Sequence, residues 1–240
     1  MDEILTVRNL RVWFPIKKGV FSRTVGHVKA VDGVSFTLRR GETLGVVGES
    51  GSGKSTLARV IAGLQKPTSG ELRIGCRVGM VFQDPLGSLN PRMTIAASLV
   101  EIPGAGDPRR LLEMVGLDES ALDKYPHEFS GGQRQRICIA QAIAARPELL
   151  ICDEAVSALD IQIRAQILDL LMDLKEKLGL SLMFITHDLG VVQHVAERLI
   201  VMYHGVVAEE GDCGRILFNP LSDYTRNLIA AVPRIAVQNV

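Results

Sequence analysis

Apolar and polar positions change period several times along this chain. Residues 4–12 and 28–38 alternate apolar with polar residues, the pattern of half-buried strands. Between them, Phe14 to Gly26 is rich in Gly, Lys and Arg and reads as a loop. Glu42 to Val47 is a short β-type apolar run, and Leu57, Val60, Ile61 and Leu64 then recur at i, i+3, i+4 and i+7, which predicts an amphipathic helix. Residues 78–82 read as a buried strand. From residue 86 to 125 the character changes, with Pro91, Pro103, Pro108 and several glycines separating short helical patterns. A helix carrying Ile137, Ala140, Ile143 and Ala144 follows Ser130. Strands and helices then alternate: strand 149–152, a helix over about 161–178, strand 181–186, a helix near 189–197 and strand 198–203. In the long helix Ile163, Ile167, Leu170, Leu171, Leu174 and Leu178 mark one apolar face.

That succession predicts an α/β fold with a largely parallel sheet, preceded by an antiparallel β subdomain and interrupted by a helical insertion. The expected division is a core of residues 1–85 and 146–215, a helical subdomain 86–145 and a C-terminal extension 216–240. Composition narrows the class. The 27 basic and 27 acidic residues balance, so no overall basic footprint points to nucleic acid. No apolar stretch approaches the roughly 20 residues of a membrane span, and the acidic start Met1-Asp2-Glu3-Ile4 lacks a signal-peptide pattern. Cys76, Cys138, Cys152 and Cys213 stand far apart with no C-x-x-C pair, which suits reduced structural thiols in a cytosol.

The candidate chemistry starts at Gly48-Glu49-Ser50-Gly51-Ser52-Gly53-Lys54-Ser55-Thr56, a complete G-x-x-x-x-G-K-[ST] run between a predicted strand and a predicted helix. Glycines let such a loop turn its backbone N–H groups inward onto phosphate oxygens. Lys54 can reach the β- and γ-phosphates, Ser55 offers a hydroxyl to Mg²⁺, and the helix dipole favours the anion. This context predicts a nucleoside triphosphate site on a P-loop NTPase core.

The apolar run Leu149-Leu150-Ile151-Cys152 ends in Asp153-Glu154, two carboxylates at the end of a strand where ligands of open α/β sheets bind. Beside a triphosphate they divide labour: Asp153 for the hydrated Mg²⁺ and Glu154 as acceptor of a proton from the attacking water. Ser130-Gly131-Gly132-Gln133 opens another helix and forms a second anion-binding terminus, with Ser130 as N-cap. One nucleotide cannot readily use both termini within one chain, which hints at a neighbouring subunit.

Taken in order, Gly48–Thr56, Gln83, Phe129-Ser130-Gly131-Gly132-Gln133, Asp153-Glu154, Ser157-Ala158-Leu159-Asp160 and Thr186-His187-Asp188 resemble an ABC-type ATPase over nearly the whole chain. The resemblance implies a RecA-like core and ATP with Mg²⁺ as ligands. It also implies that Gln83 senses the γ-phosphate and Mg²⁺, that Ser130 to Gln133 cap the opposing subunit's ATP, that Asp160 lies at the dimer interface, and that His187 positions water with Glu154. An aromatic near the N-terminus stacks on adenine in the family; Phe14 matches its spacing better than Trp13. Val81-Phe82-Gln83-Asp84-Pro85, Ser88-Leu89-Asn90-Pro91-Arg92, Ala30 to Phe36, Ala155-Val156 in place of Pro-Thr, and Tyr224-Thr225-Arg226-Asn227-Leu228 are similar to the oligopeptide, dipeptide and nickel importer branch. That branch implies a peripheral ATPase at the cytoplasmic face of the membrane. Its implied partners are transmembrane permease subunits, a second ATPase subunit (homodimer or paralogue heterodimer) and, indirectly, an extracytoplasmic solute-binding protein. The alternative is a soluble ABC ATPase outside transport, for assembly or as a carbon–phosphorus lyase accessory protein. The link from Gly70 to Gln83 is shorter than usual, as if a hairpin or small helix had been pruned.

Overall fold

The computed structural model describes residues 2–19 and 23–231. In chain order the elements are β1 (Glu3–Lys18), β2 (Arg23–Arg39), β3 (Thr43–Val47), α1 (Lys54–Ile61), β4 (Ser69–Ile74), β5 (Val78–Val81), α2 (Pro85–Ser88), α3 (Ile95–Val100), α4 (Pro108–Met114), α5 (Gly131–Ala144), β6 (Leu149–Asp153), α6 (Ile161–Leu178), β7 (Ser181–Thr186), α7 (Leu189–Val195), β8 (Arg198–Tyr203), β9 (Val206–Asp212), α8 (Cys213–Phe218) and α9 (Asp223–Ala230). Single 3-10 turns at Glu119–Ala121 and Pro126–Glu128 precede α5.

Two sheets carry the fold. The central one has strand order β5-β6-β7-β3-β8-β9 and is parallel except for β9, which pairs antiparallel with β8; the other is an antiparallel β2-β1-β4 sheet. Strands β3, β6 and β7 are buried at every position, as parallel strands covered on both faces must be. Their side chains alternate between two packing layers. Leu149, Ile151, Met183 and Ile185 join Leu44, Val46 and the antiparallel sheet around α1, while Leu150, Cys152, Leu182 and Phe184 face α5, α6 and the helices between residues 85 and 144. Burial of each such aliphatic side chain contributes about 1.5–3 kcal/mol relative to exposure. A third cluster, built on Val47, Leu199, Val201 and Ile216, is covered by α7, α8 and α9.

Three predicted elements are corrected. Phe14 to Gly26 is not a loop over its described part: residues 14–18 pair with 23–28 in a continuous antiparallel ribbon. Both faces of that ribbon are largely exposed, so it has no apolar alternation to read, and its ladder of hydrogen bonds carries it instead. Residues 20–22 of that segment lie outside the described residues, as do 232–240 of the C-terminal extension. The helix after the phosphate loop stops at Ile61, because Gly63 turns into the left-handed region at φ 74° just past the cap; Leu64 is left exposed. The strand read over 78–82 ends at Val81 and is only half-buried, since β5 is the sheet's edge, and Phe82 faces solvent. The short link before Gln83 holds no element beyond β4 and β5.

Thiol chemistry is passive. All four cysteines are free, and burial pushes the Cys138 and Cys152 thiols up to about 12.

Candidate nucleotide-binding site

β3 runs straight into the glycine loop, and the loop into α1. Two of its glycines are required by close approach. A Cβ at Gly48 (φ 148°) would stand 2.2 Å from the Met202 carbonyl oxygen, and one at Gly53 (φ 103°) 2.0 Å from that of Ala30. The loop therefore rests on β2 and on the β8–β9 turn, where the Gly205 N–H also donates to the Ser52 carbonyl at 3.0 Å. Lys54 is buried, its ammonium donating to the carbonyls of Gly48 (2.7 Å) and Glu49 (2.8 Å). Burial draws its pKa down, against the opposing pull of Glu154, Asp153 and Glu49.

The carboxyl ends of three neighbouring strands deliver the remaining groups. Asp153 ends β6, 4% exposed, and accepts from the Ser55 hydroxyl at 2.9 Å. Burial raises the Asp153 carboxyl, the Glu154 charge beside it adds to that, and Ser55, Arg59 and Lys54 oppose it. A hydroxyl–carboxylate pair of this kind, next to a cradle for phosphates, fits Mg²⁺, which keeps waters and phosphate oxygens among its ligands. Among the described residues no group of three or more His, Cys, Asp or Glu side chains forms a metal cage by itself.

Glu154 sits in the left-handed region at φ 49°. A non-glycine residue there costs about 1–3 kcal/mol and persists only where its surroundings hold it. Its N–H donates to the Ile185 carbonyl at 2.9 Å, and its own carbonyl accepts from the Ser157 N–H (3.1 Å) and hydroxyl (2.9 Å). The kink turns the carboxylate away from the strand, so that Oε2 accepts from Gln83 Nε2 at 3.0 Å and Oε1 lies 3.4 Å from His187 Nδ1. Two residues from separate chain segments, Gln83 and His187, thus converge on one carboxylate.

An open pocket of about 380 Å³ lies over these groups, lined by Ser50, Gly51, Gly53, Lys54, Ser55, Thr56, Gln83 and Glu154 and closed on its far side by Val28, Lys29, Ala30 and His204. Phe14 pairs with Val28 in the ribbon and is 39% exposed at that rim. Trp13 is engaged elsewhere, with its indole N–H on Asp32 (3.2 Å) and the Lys29 ammonium 4.7 Å over its ring.

Comparison with known proteins settles the class. Residues 31–157 match the family described as ABC transporter. The chain belongs to that family. It is 46% identical, over 97% of its length and 79% of the relative's, to the oligopeptide transport ATP-binding protein AppF of Bacillus subtilis. It is 44% identical to the dipeptide transport ATP-binding protein DppF of Haemophilus influenzae, over 97% of this chain and 79% of the relative. The alignment with AppF spans 259 positions against 240 residues here, so that relative carries residues this ABC chain lacks. Among solved structures, the cassette MJ0796, a dimer bound to ADP and Pi, superposes with a TM-score of 0.74 at 28% identity over 87% of this chain and 98% of that one. CbiO1 from Clostridium perfringens, part of an ABC transporter complex, superposes at 0.75 with 27% identity over 98% of both chains. The RecA-like P-loop fold with its antiparallel N-terminal sheet is that of an ABC cassette.

Several residues stand apart from the pocket. Ser130 caps α5 in a reciprocal capping box: its hydroxyl accepts from the Gln133 N–H at 3.3 Å, and the Gln133 amide oxygen accepts from the Ser130 N–H at 3.0 Å. Ser130, Gly131 and Gln133 are exposed, Gly132 is partly covered by Ile163, and none of the four lines the pocket. Asp160 caps α6 through the Ile163 N–H at 2.9 Å and is exposed, as is the adjacent Ile161, at 82%. Glu49 turns its N–H outward, to the hydroxyl of Tyr224 at 3.2 Å.

Sequence reasoning missed Arg164. Its guanidinium bonds Asp188 at 2.8 Å and the Leu159 carbonyl at 3.3 Å, tying the His187 turn to the Ser157–Asp160 turn. Its place one turn past Asp160, in a helix, was the signal available. Lys29 and His204 of the pocket wall carried none, because only tertiary folding brings them near the loop.

Proposed function

We propose that the chain is the ATP-binding and ATP-hydrolysing subunit of an importer, peripheral at the cytoplasmic membrane face, that energises uptake through separate transmembrane permease subunits. The single observation that carries this reading is the convergence of Gln83, Glu154 and His187 beside the Lys54 loop and the Ser55–Asp153 pair. Under it, Lys54 neutralises β- and γ-phosphate oxygens, and the loop amides hold them. Ser55, Asp153 and Gln83 are the residues that would hold Mg²⁺; when bound, that ion supplies charge neutralisation on the phosphates. Glu154 takes the proton of a water that attacks the γ-phosphorus, while Gln83 and His187 orient the carboxylate and the water. The new P–O bond forms as the bond to the bridging β-phosphate oxygen breaks and ADP leaves. Phe14 offers its ring to the adenine.

The names of the relatives support peptides as cargo, with nickel or another metal chelate as the second choice within the same importer branch. No helix among the described residues is long and apolar enough to cross a membrane, so the translocation path belongs to other subunits under this reading. Residues 86–145 form the lobe that meets them; Leu86 and Val100 present exposed apolar side chains there. Exposed Ser130, Gly131 and Gln133, exposed Ile161 and the dimeric MJ0796 relative support a second ATPase subunit, identical or paralogous, on the pocket side.

The test is ATP turnover by the purified chain and by Lys54→Ala. The variant is expected to keep its fold by circular dichroism and to lose turnover by on the order of 10²-fold or more, as expected for removal of a preorganised charge from the phosphoryl site. Parent-rate hydrolysis by a folded Lys54→Ala protein would overturn the assignment.

A further inference from the structure

The run Tyr224 to Leu228, which the sequence singles out without a role, lies in α9 and reaches the phosphate loop. The contact falls on one peptide unit. The Gly48 carbonyl accepts from the Lys54 ammonium at 2.7 Å, while the Glu49 N–H of the same planar amide points the opposite way and donates to the Tyr224 hydroxyl at 3.2 Å. The plane is clamped at both ends. Rotating it about its flanking bonds breaks both contacts together, so the hydroxyl of Tyr224 bears on the placement of Lys54 without touching it.

Tyr224 is itself fixed. Its ring packs on Tyr203 with centroids 4.1 Å apart, and Tyr203 packs on His204 at 4.2 Å, a residue of the pocket wall. Behind it, the buried Glu209 carboxylate accepts from the N–H groups of Leu221 (3.0 Å) and Ser222 (3.1 Å) and pairs with Arg215 at 2.6 Å, which pins the residues that open α9. Leu228 and Ile229 seal the helix onto the cluster containing Val47, the last residue of the strand that enters the loop.

We propose that Tyr224 is a positioning residue for nucleotide binding, its hydroxyl holding the Gly48–Glu49 peptide plane so that Lys54 and the loop's inner amides face the phosphates. This rests on the ATPase reading above. The loop grips the phosphates of the ground state and of the transition state alike, so loosening it weakens binding uniformly, raising KM and leaving kcat in place. The Glu49 N–H is at the surface, where water replaces the lost hydroxyl, so fold stability moves little.

Tyr224→Phe keeps the ring and removes only the hydroxyl. Its KM for ATP and its Kd for a fluorescent ADP analogue are both expected to rise about fivefold, the equivalent of one net neutral hydrogen bond. The expected kcat and melting temperature are those of the parent. Parent-like KM and Kd overturn the proposal. So does a drop of several degrees in melting temperature alongside the KM rise, which marks a general structural role. A parent protein that turns over no ATP overturns the ATPase reading first and this proposal with it, so the parent alone tells the two failures apart.

Discussion

Two regions of this molecule, both assigned to the triphosphate in the proposed reading, are finished to different degrees. The crevice at the ends of β3, β6 and β7 holds a glycine cradle, a buried cation, a hydroxyl–carboxylate pair and a carboxylate approached by Gln83 and His187. The N-terminus of α5 holds only Ser130 to Gln133, largely exposed, self-capped and away from the pocket. Under the proposed ATPase reading, the first supplies the protein groups for phosphoryl transfer except donors covering the outer face of the γ-phosphate. The second has donors and no phosphate cradle. In a subunit that pairs head to tail with another, each region completes the other's counterpart, and the asymmetry within one chain becomes symmetry between two.

The largest expected effect breaks the crevice alone. Glu154→Gln keeps the side-chain shape and a hydrogen bond to Gln83 but cannot take a proton, so turnover falls by about 10²- to 10⁴-fold, the range of general-base loss. ATP binding persists, and the uncleaved nucleotide holds two subunits together, giving a dimer with ATP and a monomer with ADP in sedimentation velocity, alone or mixed with a paralogous subunit. A Glu154→Gln protein that binds ATP and stays monomeric in both mixtures would remove the reason for treating the two regions as halves of shared sites.

Next in size is the reverse experiment. Ser130→Arg fills the second region with bulk and leaves the crevice untouched. In the Glu154→Gln background the ATP-dependent dimer should vanish while nucleotide affinity of the single chain stays at its parent value. In the parent background turnover should fall by about 10²-fold, the scale for losing a preorganised donor to transition-state charge. Loss of the N-cap costs about 1 kcal/mol of stability. Weakened ATP binding by the isolated variant would place Ser130 in the same pocket as Lys54 and collapse the comparison.

The two regions also differed in how openly the sequence displayed them. The crevice was legible because its parts are local: a glycine spacing imposed by close approach at Gly48 and Gly53, and buried apolar runs that end in Asp153 and Thr186. The N-cap at Ser130 was legible for the same reason, as a local Ser-Gly-Gly start, while its reciprocal partner Gln133 came from the structure. What stayed hidden is support that depends on pairing across the chain. The ribbon of residues 14–18 with 23–28 has no buried face, β4 and β9 are held by their neighbours' backbones, and Arg164 acts through Asp188, 24 residues away. Tyr224 lies 175 residues from Glu49, and nothing in the local pattern of α9 announces that contact.

The smallest expected effect concerns this hidden support beneath the crevice. Burial by itself would raise the Glu209 carboxyl, but the amides of Leu221 and Ser222 and the Arg215 guanidinium outweigh it and hold the pKa down at about 2. A carboxylate depressed in the folded state adds stability that is fully present above its ordinary value near 4.5 and is lost as pH falls towards 2. Urea unfolding should therefore show Glu209→Gln less stable than the parent at pH 6 by on the order of 1–3 kcal/mol, the scale of hydrogen bonds to a charged acceptor. The gap should narrow steadily between about pH 4.5 and 3, because the unfolded parent takes up a proton on this carboxylate that the folded state resists, while the variant has no such group. The capping box at α5 contains no ionisable side chain, so a Ser130→Ala variant should keep a constant deficit of about 1 kcal/mol across the same range. A Glu209→Gln deficit that is equally flat from pH 6 to 3 would mean that the charge of Glu209 does not anchor α9 beneath the phosphate loop.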